Sequence, residues 1–368
     1  MHTVSSPNSV LANALGAVED VLTPHLHPVR PRRVELSVGT QINGVPHIGT
    51  SLVQSLTFAL AARIRDRFDL PVQVVFGALD NAPHETLTDP ASGHVYQRAL
   101  AQAFDPAAVL KQVEGLYRPL FDALSTRTAV PYRIETYSRQ QATAGFRATW
   151  LRLLPRLESA RWWLAPPTGT PHLRVPCPAA GCGWAEKHAE RTRVEFSGQQ
   201  ATVGAVCVHH GPYESVISPD GRGYLDLSTL YRNVVKELTT QLIPDTLSVM
   251  VKGADWMSGT QLVNGALQAV GLTLGQIPAR IFGPQIVTLT GAKLSKSLIR
   301  NNQAESLADE DAWMLDTRKW PGSADTYAAR LLDANTVLLS HPRHFFRDYS
   351  TEEFARLMDT KTRSYSAT

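Results

Sequence analysis

The sequence predicts an α/β fold in which helices cover a doubly wound parallel sheet. Residues 33–38 form a short apolar segment typical of a strand, and residues 72–77 form a second one. Between them lie a loop that contains Gly and Pro and a long segment, residues 48–68, in which leucines recur at helical spacing. Strand, loop, helix and strand in this order form the βαβ unit of a doubly wound nucleotide-binding fold.

The remaining chain changes character several times. A helix is expected at residues 10–22, and residues 84–165 are expected to be mostly helical. Residues 166–223 contain all three cysteines and short alternating segments, which indicate a small β-rich insertion. We therefore expect five regions: an N-terminal helix and linker (1–32), the first half of the sheet domain with a helical connection (33–165), the insertion (166–223), the second half of the sheet domain (224–300) and a short tail region (301–368) with a helix at 324–339.

The composition is that of a globular protein with a mild positive charge. Of the 368 residues, 43% are hydrophobic and 19% are charged, and the net charge is +3. This charge permits a nucleic-acid partner but does not argue for one, because polyanion binding needs a clustered basic patch. No apolar run approaches the roughly 20 residues that span a bilayer, and the N-terminus lacks the pattern of a secretory signal. We therefore expect a cytoplasmic enzyme that binds neither membrane nor DNA.

One candidate nucleotide-binding element lies between the first strand and its helix. There, Pro46-His47-Ile48-Gly49-Thr50 begins the helix, whose free N–H groups and positive dipole end suit a phosphate. Pro46 fits a tight turn into the helix, and Gly49 fits the close approach of a ligand. His47 can donate a hydrogen bond to a phosphoryl oxygen as charge develops on it. The alternative is an ordinary helix start with a surface histidine.

A second candidate element is the run Lys293-Leu294-Ser295-Lys296-Ser297. Two lysines with neighbouring serines can form a mobile cationic clamp that closes over a triphosphate and stabilises the departing pyrophosphate. The alternative is a solvated loop. Each element alone is weak evidence for a nucleotide site, but both follow predicted strands and both suit a triphosphate.

The two elements together resemble the signatures of class I aminoacyl-tRNA synthetases. The family's "HIGH" signature matches His47-Ile48-Gly49-Thr50, and its "KMSKS" signature matches Lys293 to Ser297 with Leu in place of Met. The resemblance implies a Rossmann-type catalytic domain, Mg²⁺-ATP as co-substrate, and attack of an amino-acid carboxylate on the α-phosphate. Positioning and charge neutralisation carry such a step.

A third segment, Gly253-Ala254-Asp255, resembles the family's Gly-x-Asp site, whose carboxylate binds the ATP ribose. The alternative is that Asp255 caps the next helix. The resemblance implies catalytic roles for His47, Lys293 and Lys296. It implies ATP contacts from these residues: Thr40, Pro46, His47, Gly49, Thr50, Gly253, Asp255, Lys293, Ser295, Lys296 and Ser297.

Within that family, the chain is most similar to class I lysyl-tRNA synthetase, so lysine is the nominal substrate. The candidate amino-acid contacts are Gln41, Asp80, Asp226 and Arg232. A lysine ammonium needs a buried carboxylate or equivalent acceptors, which Asp80 and Asp226 can supply. Structural roles for these two carboxylates are the alternative, because the segments around them depart from the family's pattern.

The segment after Ser297 is too short for the family's anticodon-binding domain. We therefore expect an enzyme that activates an amino acid and passes it either to tRNA or to a small-molecule amine. A third hypothesis is a non-catalytic paralogue that binds tRNA or a partner enzyme.

The cysteines predict a structural zinc site. Cys177 and Cys182 form a C-x4-C pair, and Cys207 with His210 forms a C-x2-H pair. Two short ligand pairs separated by a β-rich loop match tetrahedral Zn²⁺ bound by three thiolates and one imidazole. His209 is the alternative imidazole, and three buried free thiols are the alternative to a metal site.

Overall fold

The computed structural model describes residues 15–29, 31–164, 173–221, 223–288, 290–296, 299 and 307–359. The strands are β1 Arg33–Gln41, β2 Val72–Leu79, β3 Pro83–Thr88, β4 Val95–Ala99, β5 Tyr132–Thr136, β6 Leu173–Arg174, β7 Trp184–Glu186, β8 Arg193–Phe196, β9 Ala201–Cys207, β10 Gly211–Ile217, β11 Asp226–Leu227, β12 Thr246–Gly253, β13 Ala279–Gly283, β14 Ile286–Val287 and β15 Tyr349–Ser350. The α-helices are α1 Thr23–Val29, α2 Ile48–Phe68, α3 Leu100–Ala103, α4 Pro106–Thr128, α5 Tyr137–Gln141, α6 Ala144–Leu153, α7 Leu157–Leu164, α8 Thr229–Thr240, α9 Met257–Ala269, α10 Ala324–Leu339, α11 Pro342–Phe345 and α12 Thr351–Met358. No helix within the described ranges has both the length and the apolar character needed to cross a bilayer.

Five parallel strands form the central sheet in the order β13-β12-β1-β2-β5. From β1 the chain runs outward through β2 and β5, and it then returns to the other side of β1 as β12 and β13. This reversal is the defining feature of a doubly wound sheet, so the predicted fold class is confirmed. In such sheets the ligand crevice lies at the carboxyl ends of the two strands where the order reverses, which are β1 and β12 here.

Side-chain alternation along β1 separates the protein core from the crevice. Val34, Leu36 and Val38 are buried in the core beneath α2. Ser37 faces the opposite side of the sheet, because successive side chains of a strand point to opposite faces. A cavity lies on that opposite face, and Ser37 lines it.

The prediction that residues 84–165 are mostly helical is wrong for the first part of that range. β3 and β4 form an antiparallel hairpin, and β4 also pairs with β7 of the cysteine-containing segment. Helical structure begins only at Leu100. The segment between the two strands, residues 89–94, contains Asp, Pro and Gly residues that are typical of a turn. The pairing of β4 with β7 joins distant segments and leaves no signal in the local periodicity.

The N-terminal region also differs from expectation. The helix expected at residues 10–22 lies partly outside the described residues, and Val18–Leu22 forms a 3₁₀ turn. The expected linker contains helix α1 instead. Pro24 is compatible with this helix because it occupies the first turn, where its missing N–H has no helical partner to lose.

The C-terminal region packs tightly on the sheet domain. Helix α10 has the predicted bounds, and it packs against α2 and α4. Its Asn335 donates a hydrogen bond from Nδ2 to Ser55 Oγ on α2 at 2.8 Å. Leu331 and Leu338 of α10 share a buried cluster with Ile48 at the start of α2. The C-terminal region therefore supports the helix that begins at the predicted phosphate site.

Candidate functional site

A cavity of about 380 Å³ opens at the carboxyl ends of β1 and β12. Its wall includes the ends of β1, β2, β5 and β12, the first turns of α2, one face of α8 and the segment from Lys293 to Lys296. The predicted elements, far apart in the chain, therefore meet at the point where the sheet reverses its order. This is the position at which doubly wound folds bind nucleotides.

His47 lies at the N-terminus of α2 and is only 6% exposed. Its Nδ1 has no hydrogen-bond partner among the described residues. Gly49 leaves room for the ring, since a Cβ at this position would lie 3.1 Å from His47 Cε1. Burial, and then repulsion from Lys296 and Lys293, lowers the pKa of His47 to about 3. The imidazole is therefore neutral near pH 7, and it is not the surface histidine of the alternative interpretation.

The lysine segment is anchored by Leu294, which is 1% exposed and packs in one cluster with Ile48 and Leu52 of α2. A backbone hydrogen bond of 2.9 Å from Leu294 N to Ile286 O fixes its register. Leu294 therefore fastens the segment to the helix that carries His47. The two flanking lysines are placed at the cavity as a consequence, rather than on a solvated loop.

The two lysines make different contacts. Lys293 Nζ lies 2.5 Å from Asp255 Oδ2, and Lys296 Nζ donates to the carbonyl oxygen of Gln41 at 2.5 Å. Burial lowers the pKa of Lys296 to about 8, so this ammonium is still charged near neutral pH. The Lys296 ammonium is thus held at the end of β1, and the Lys293 ammonium at the turn that follows β12.

Asp255 follows β12 in a 3₁₀ turn, Ala254–Trp256. Helix α9 begins at Met257 without a side-chain cap bond, so Asp255 does not have the capping role that was the alternative. A Cβ at Gly253 would lie 2.7 Å from Asp255 Oδ1, so this glycine permits the close approach of the carboxylate. Asp255 is therefore placed at the cavity edge and is paired with Lys293.

The remaining predicted residues divide into two groups. Asp80 and Asp226 do not line the cavity: Asp80 accepts a hydrogen bond from Ser138 N at 2.9 Å, and Asp226 pairs with Arg174 at 2.9 Å. The two carboxylates thus have protein partners, and Asp226 also attracts the Arg232 guanidinium. Pro46 accepts a backbone hydrogen bond from Thr317 N beside the cavity, and Ser297 lies outside the described residues. The cavity wall includes the others: Thr40, Gln41, Gly49, Thr50, Arg232, Gly253 and Ser295.

Sequence reasoning missed part of the inner wall. Lys236 lies four residues after Arg232 on α8, and this spacing places both side chains on the same helix face. Lys252 and Met250 alternate with the buried Val251 on β12, so they face the cavity. The four-residue spacing on α8 and the alternation on β12 could have indicated these residues. Their common location became apparent only when the fold showed that both elements border one cavity.

The cysteine cluster converges as predicted. Cys182 Sγ lies 3.6 Å from Cys207 Sγ, and His210 Nδ1 lies 3.6 Å from Cys177 Sγ and 3.7 Å from Cys207 Sγ. The edges of a tetrahedron of zinc ligands measure about 3.7 Å when the Zn–S distance is about 2.3 Å. The His209 ring faces Trp184 instead, with 6.1 Å between ring centroids. Of the two histidines, His210 is the one whose ring joins the three thiols.

Comparisons with known proteins give fold-level similarity. No protein-family model matches the chain, and no curated protein matches it. Among solved structures, methionyl-tRNA synthetase of Mycobacterium tuberculosis bound by methionyl-adenylate is similar at 13% identity and a TM-score of 0.43, over 90% of this chain and 69% of that one. Glutamate-tRNA synthetase of Elizabethkingia anophelis is similar at 10% identity and a TM-score of 0.42, over 88% and 70% of the two chains. A putative arginyl-tRNA synthetase of Campylobacter jejuni has 10% identity and a TM-score of 0.35, over 93% and 72%.

Proposed function

We propose that this chain activates an amino acid with ATP and forms an aminoacyl adenylate and pyrophosphate. The observation that carries the proposal is the meeting of His47, Lys293, Lys296 and Asp255 around one cavity at the reversal point of the sheet. Cationic and hydrogen-bonding groups at the start of a helix suit a triphosphate, and a carboxylate at a strand end suits a ribose diol.

The reaction is a displacement at phosphorus. A carboxylate oxygen of the amino acid attacks the α-phosphorus of ATP, a new P–O bond forms, and the bond to the pyrophosphate oxygen breaks. The neutral His47 donates a hydrogen bond to a phosphoryl oxygen, while Lys293 and Lys296 stabilise the charge that leaves with pyrophosphate. ATP binding replaces the Lys293–Asp255 ion pair with a phosphate contact for the lysine and a ribose contact for Asp255.

Magnesium fits this site as an ion that arrives with the nucleotide. Among the described residues of the cavity wall, the carboxylates are Asp255 and Glu135, which are too few for a cage built from protein ligands. Mg²⁺ commonly binds phosphate oxygens and water with few protein ligands, and there it neutralises phosphate charge. We also propose that Cys177, Cys182, Cys207 and His210 hold a structural Zn²⁺, whose four protein ligands leave no position for catalysis.

The amino acid and its acceptor belong to the proposal too. The resemblance to class I lysyl-tRNA synthetase implies lysine and tRNA, and a small-molecule amine is the alternative acceptor. Aminoacylation of total tRNA, measured beside adenylate formation, distinguishes the two acceptors. Charged tRNA supports the first, and activation without charging supports the second.

The test of activation is exchange of labelled pyrophosphate into ATP that depends on an added amino acid. We expect Lys296→Ala to lower the exchange rate by about 100-fold, because one group that stabilises developing charge is removed. Lys111→Ala is the matched control, since Lys111 is exposed on α4 away from the cavity. Equal exchange rates for these two variants would contradict the assignment, and so would exchange that needs no amino acid.

A further inference from the structure

A second group of cations lines the inner end of the cavity, away from the lysine segment. Arg232 and Lys236 lie on one face of α8, and Lys252 lies near the end of β12. Glu135 is the carboxylate that the described cavity wall places with them. Among the described residues that line the inner end, three cations thus face one anion. The carboxylates of Asp226 and Glu237 also attract these cations, but each is already paired with an arginine.

The inner cations have few protein partners. Lys236 Nζ donates to Ser37 Oγ at 3.2 Å, and Lys252 Nζ lies 3.4 Å from Asn233 Oδ1. Lys252 also lies 3.8 Å above the centre of the Trp256 ring. Both lysines thus contact neutral groups. Burial, and then repulsion from Lys236, lowers the pKa of Lys252 to about 7, and attraction from Glu237, which is itself paired with Arg280, acts in the opposite direction.

Arg232 is the most deeply placed of the three. Its side chain is buried at 6% exposure, and its guanidinium lies 5.3 Å from the centre of the Tyr137 ring. Within the part of the chain that the structure describes, no hydrogen bond or ion pair reaches this guanidinium. A buried guanidinium without a partner is costly, so the site is suited to a ligand that supplies one.

The position of the inner cations separates them from the phosphates. Lys236 contacts Ser37, whereas Lys296 contacts Gln41, four residues further along β1. At the rise of a β-strand, these two contacts lie about 13 Å apart. If Lys293 and Lys296 hold the triphosphate, the reacting carboxylate of the amino acid lies near them. The inner cations then face the other end of the amino acid, which is its side chain.

The side chain of the bound amino acid determines how the positive charges of Arg232, Lys236 and Lys252 are balanced. An ammonium would meet like charges in a partly desolvated site, which is unfavourable. A neutral side chain would leave the Arg232 guanidinium without a hydrogen-bonded counter-charge, because Asp226, which attracts it, is itself paired with Arg174. A carboxylate can accept two hydrogen bonds from the guanidinium fork and also neutralise the lysines.

We propose that the inner end of the cavity binds a carboxylate, so that the amino acid activated by this chain carries an acidic side chain. This inference rests on the proposed amino-acid activation. It makes Arg232 the residue that determines the substrate class, and it replaces the lysine that the resemblance implies.

The experiment measures pyrophosphate exchange with aspartate, glutamate, asparagine, glutamine and lysine. It uses the unmodified chain and the variants Arg232→Met, Arg232→Lys and Arg127→Met. Arg127 pairs with Asp325 at the surface, so its variant is the control for loss of an arginine. Isothermal calorimetry with each amino acid and a non-hydrolysable ATP analogue measures binding independently of catalysis.

We expect exchange with an acidic amino acid and little with its amide or with lysine. Arg232→Met should raise the KM for the acidic amino acid by about 100-fold and leave the KM for ATP unchanged, because a charge-assisted contact to the side chain is lost. Arg232→Lys should recover part of the loss, and Arg127→Met should have no effect. A merely structural role for Arg232 would not change one KM selectively.

Other results overturn the inference. Faster exchange with lysine or with an amide would do so, as would an Arg232→Met variant whose defect appears in the KM for ATP. If no amino acid supports exchange, the proposed function fails, and the calorimetry then decides the inference. Binding of an acidic amino acid that requires Arg232 upholds it, whereas equal binding of acid and amide refutes it.

Discussion

Leu294 offers a sharp test of how the lysine segment is held at the site. The side chain is 1% exposed, and it packs with Ile48 and Leu52 of the helix that begins at His47. Truncation to alanine removes most of this contact. Burying a leucine side chain contributes about 2 kcal/mol, which corresponds to an approximately 30-fold lower population of the anchored segment.

We therefore expect Leu294→Ala to lower kcat/KM for ATP by about 30-fold in pyrophosphate exchange. Leu294→Met conserves volume and should remain within a few-fold of the unmodified chain. Leu338→Ala is the matched packing control, because Leu338 is fully buried in the same cluster but lies on α10. It should lower the melting temperature without the selective loss of activity.

If Leu294→Ala melts earlier but retains full kcat/KM at a temperature well below its transition, the leucine packs without positioning the lysines. The same conclusion follows if Leu294→Ala and Leu338→Ala lose activity to the same extent.

Three further predictions concern charge, metal and stability. In the proposed reaction Lys296 stabilises charge only when it is protonated, and its pKa is lowered to about 8. We therefore expect a pH–rate profile in which kcat/KM is level below that pH and falls as pH rises through it. His210→Ala should lower the zinc content measured by elemental analysis, while His209→Ala keeps about one ion per chain; equal zinc content in the two variants would reverse the ligand choice. Glu237→Gln leaves the buried Arg280 without its counter-charge, so we expect about 4 kcal/mol of destabilisation and a melting temperature about 5 °C lower, and a change below 1 °C would show that the pair contributes little.

Much of the site could be predicted because its elements are continuous in the chain. The order of strand, loop and helix around His47 follows from local periodicity, and so does the helix Ala324–Leu339. The cysteine spacing predicted the convergence of Cys177, Cys182 and Cys207 with one histidine. In each case, the prediction depends on residues within one short segment or on two short ligand pairs.

Other features could not be predicted, since they depend on partners distant in sequence. The pairing of β4 with β7 is one such feature, because it joins two segments that are distant in the chain and no local pattern indicates it. Asp80 and Asp226 are candidates for substrate contact by residue type, and only the structure shows that they do not line the cavity and that Ser138 and Arg174 contact them. Residue type alone does not determine which surface of the folded protein a side chain faces.

The sequence by itself determined the fold class, the two elements that border the cavity and the four candidate zinc ligands, because periodicity encodes the fold and short patterns contain the candidate residues. Only the tertiary structure decided that Lys293 reaches Asp255, that Leu294 is an anchor and that Arg232 lies beside Lys236 and Lys252. The physical reason is that α8, β12 and the lysine segment meet only once the parallel sheet is formed. The charge of the cavity comes from side chains on segments that are distant from one another in the sequence.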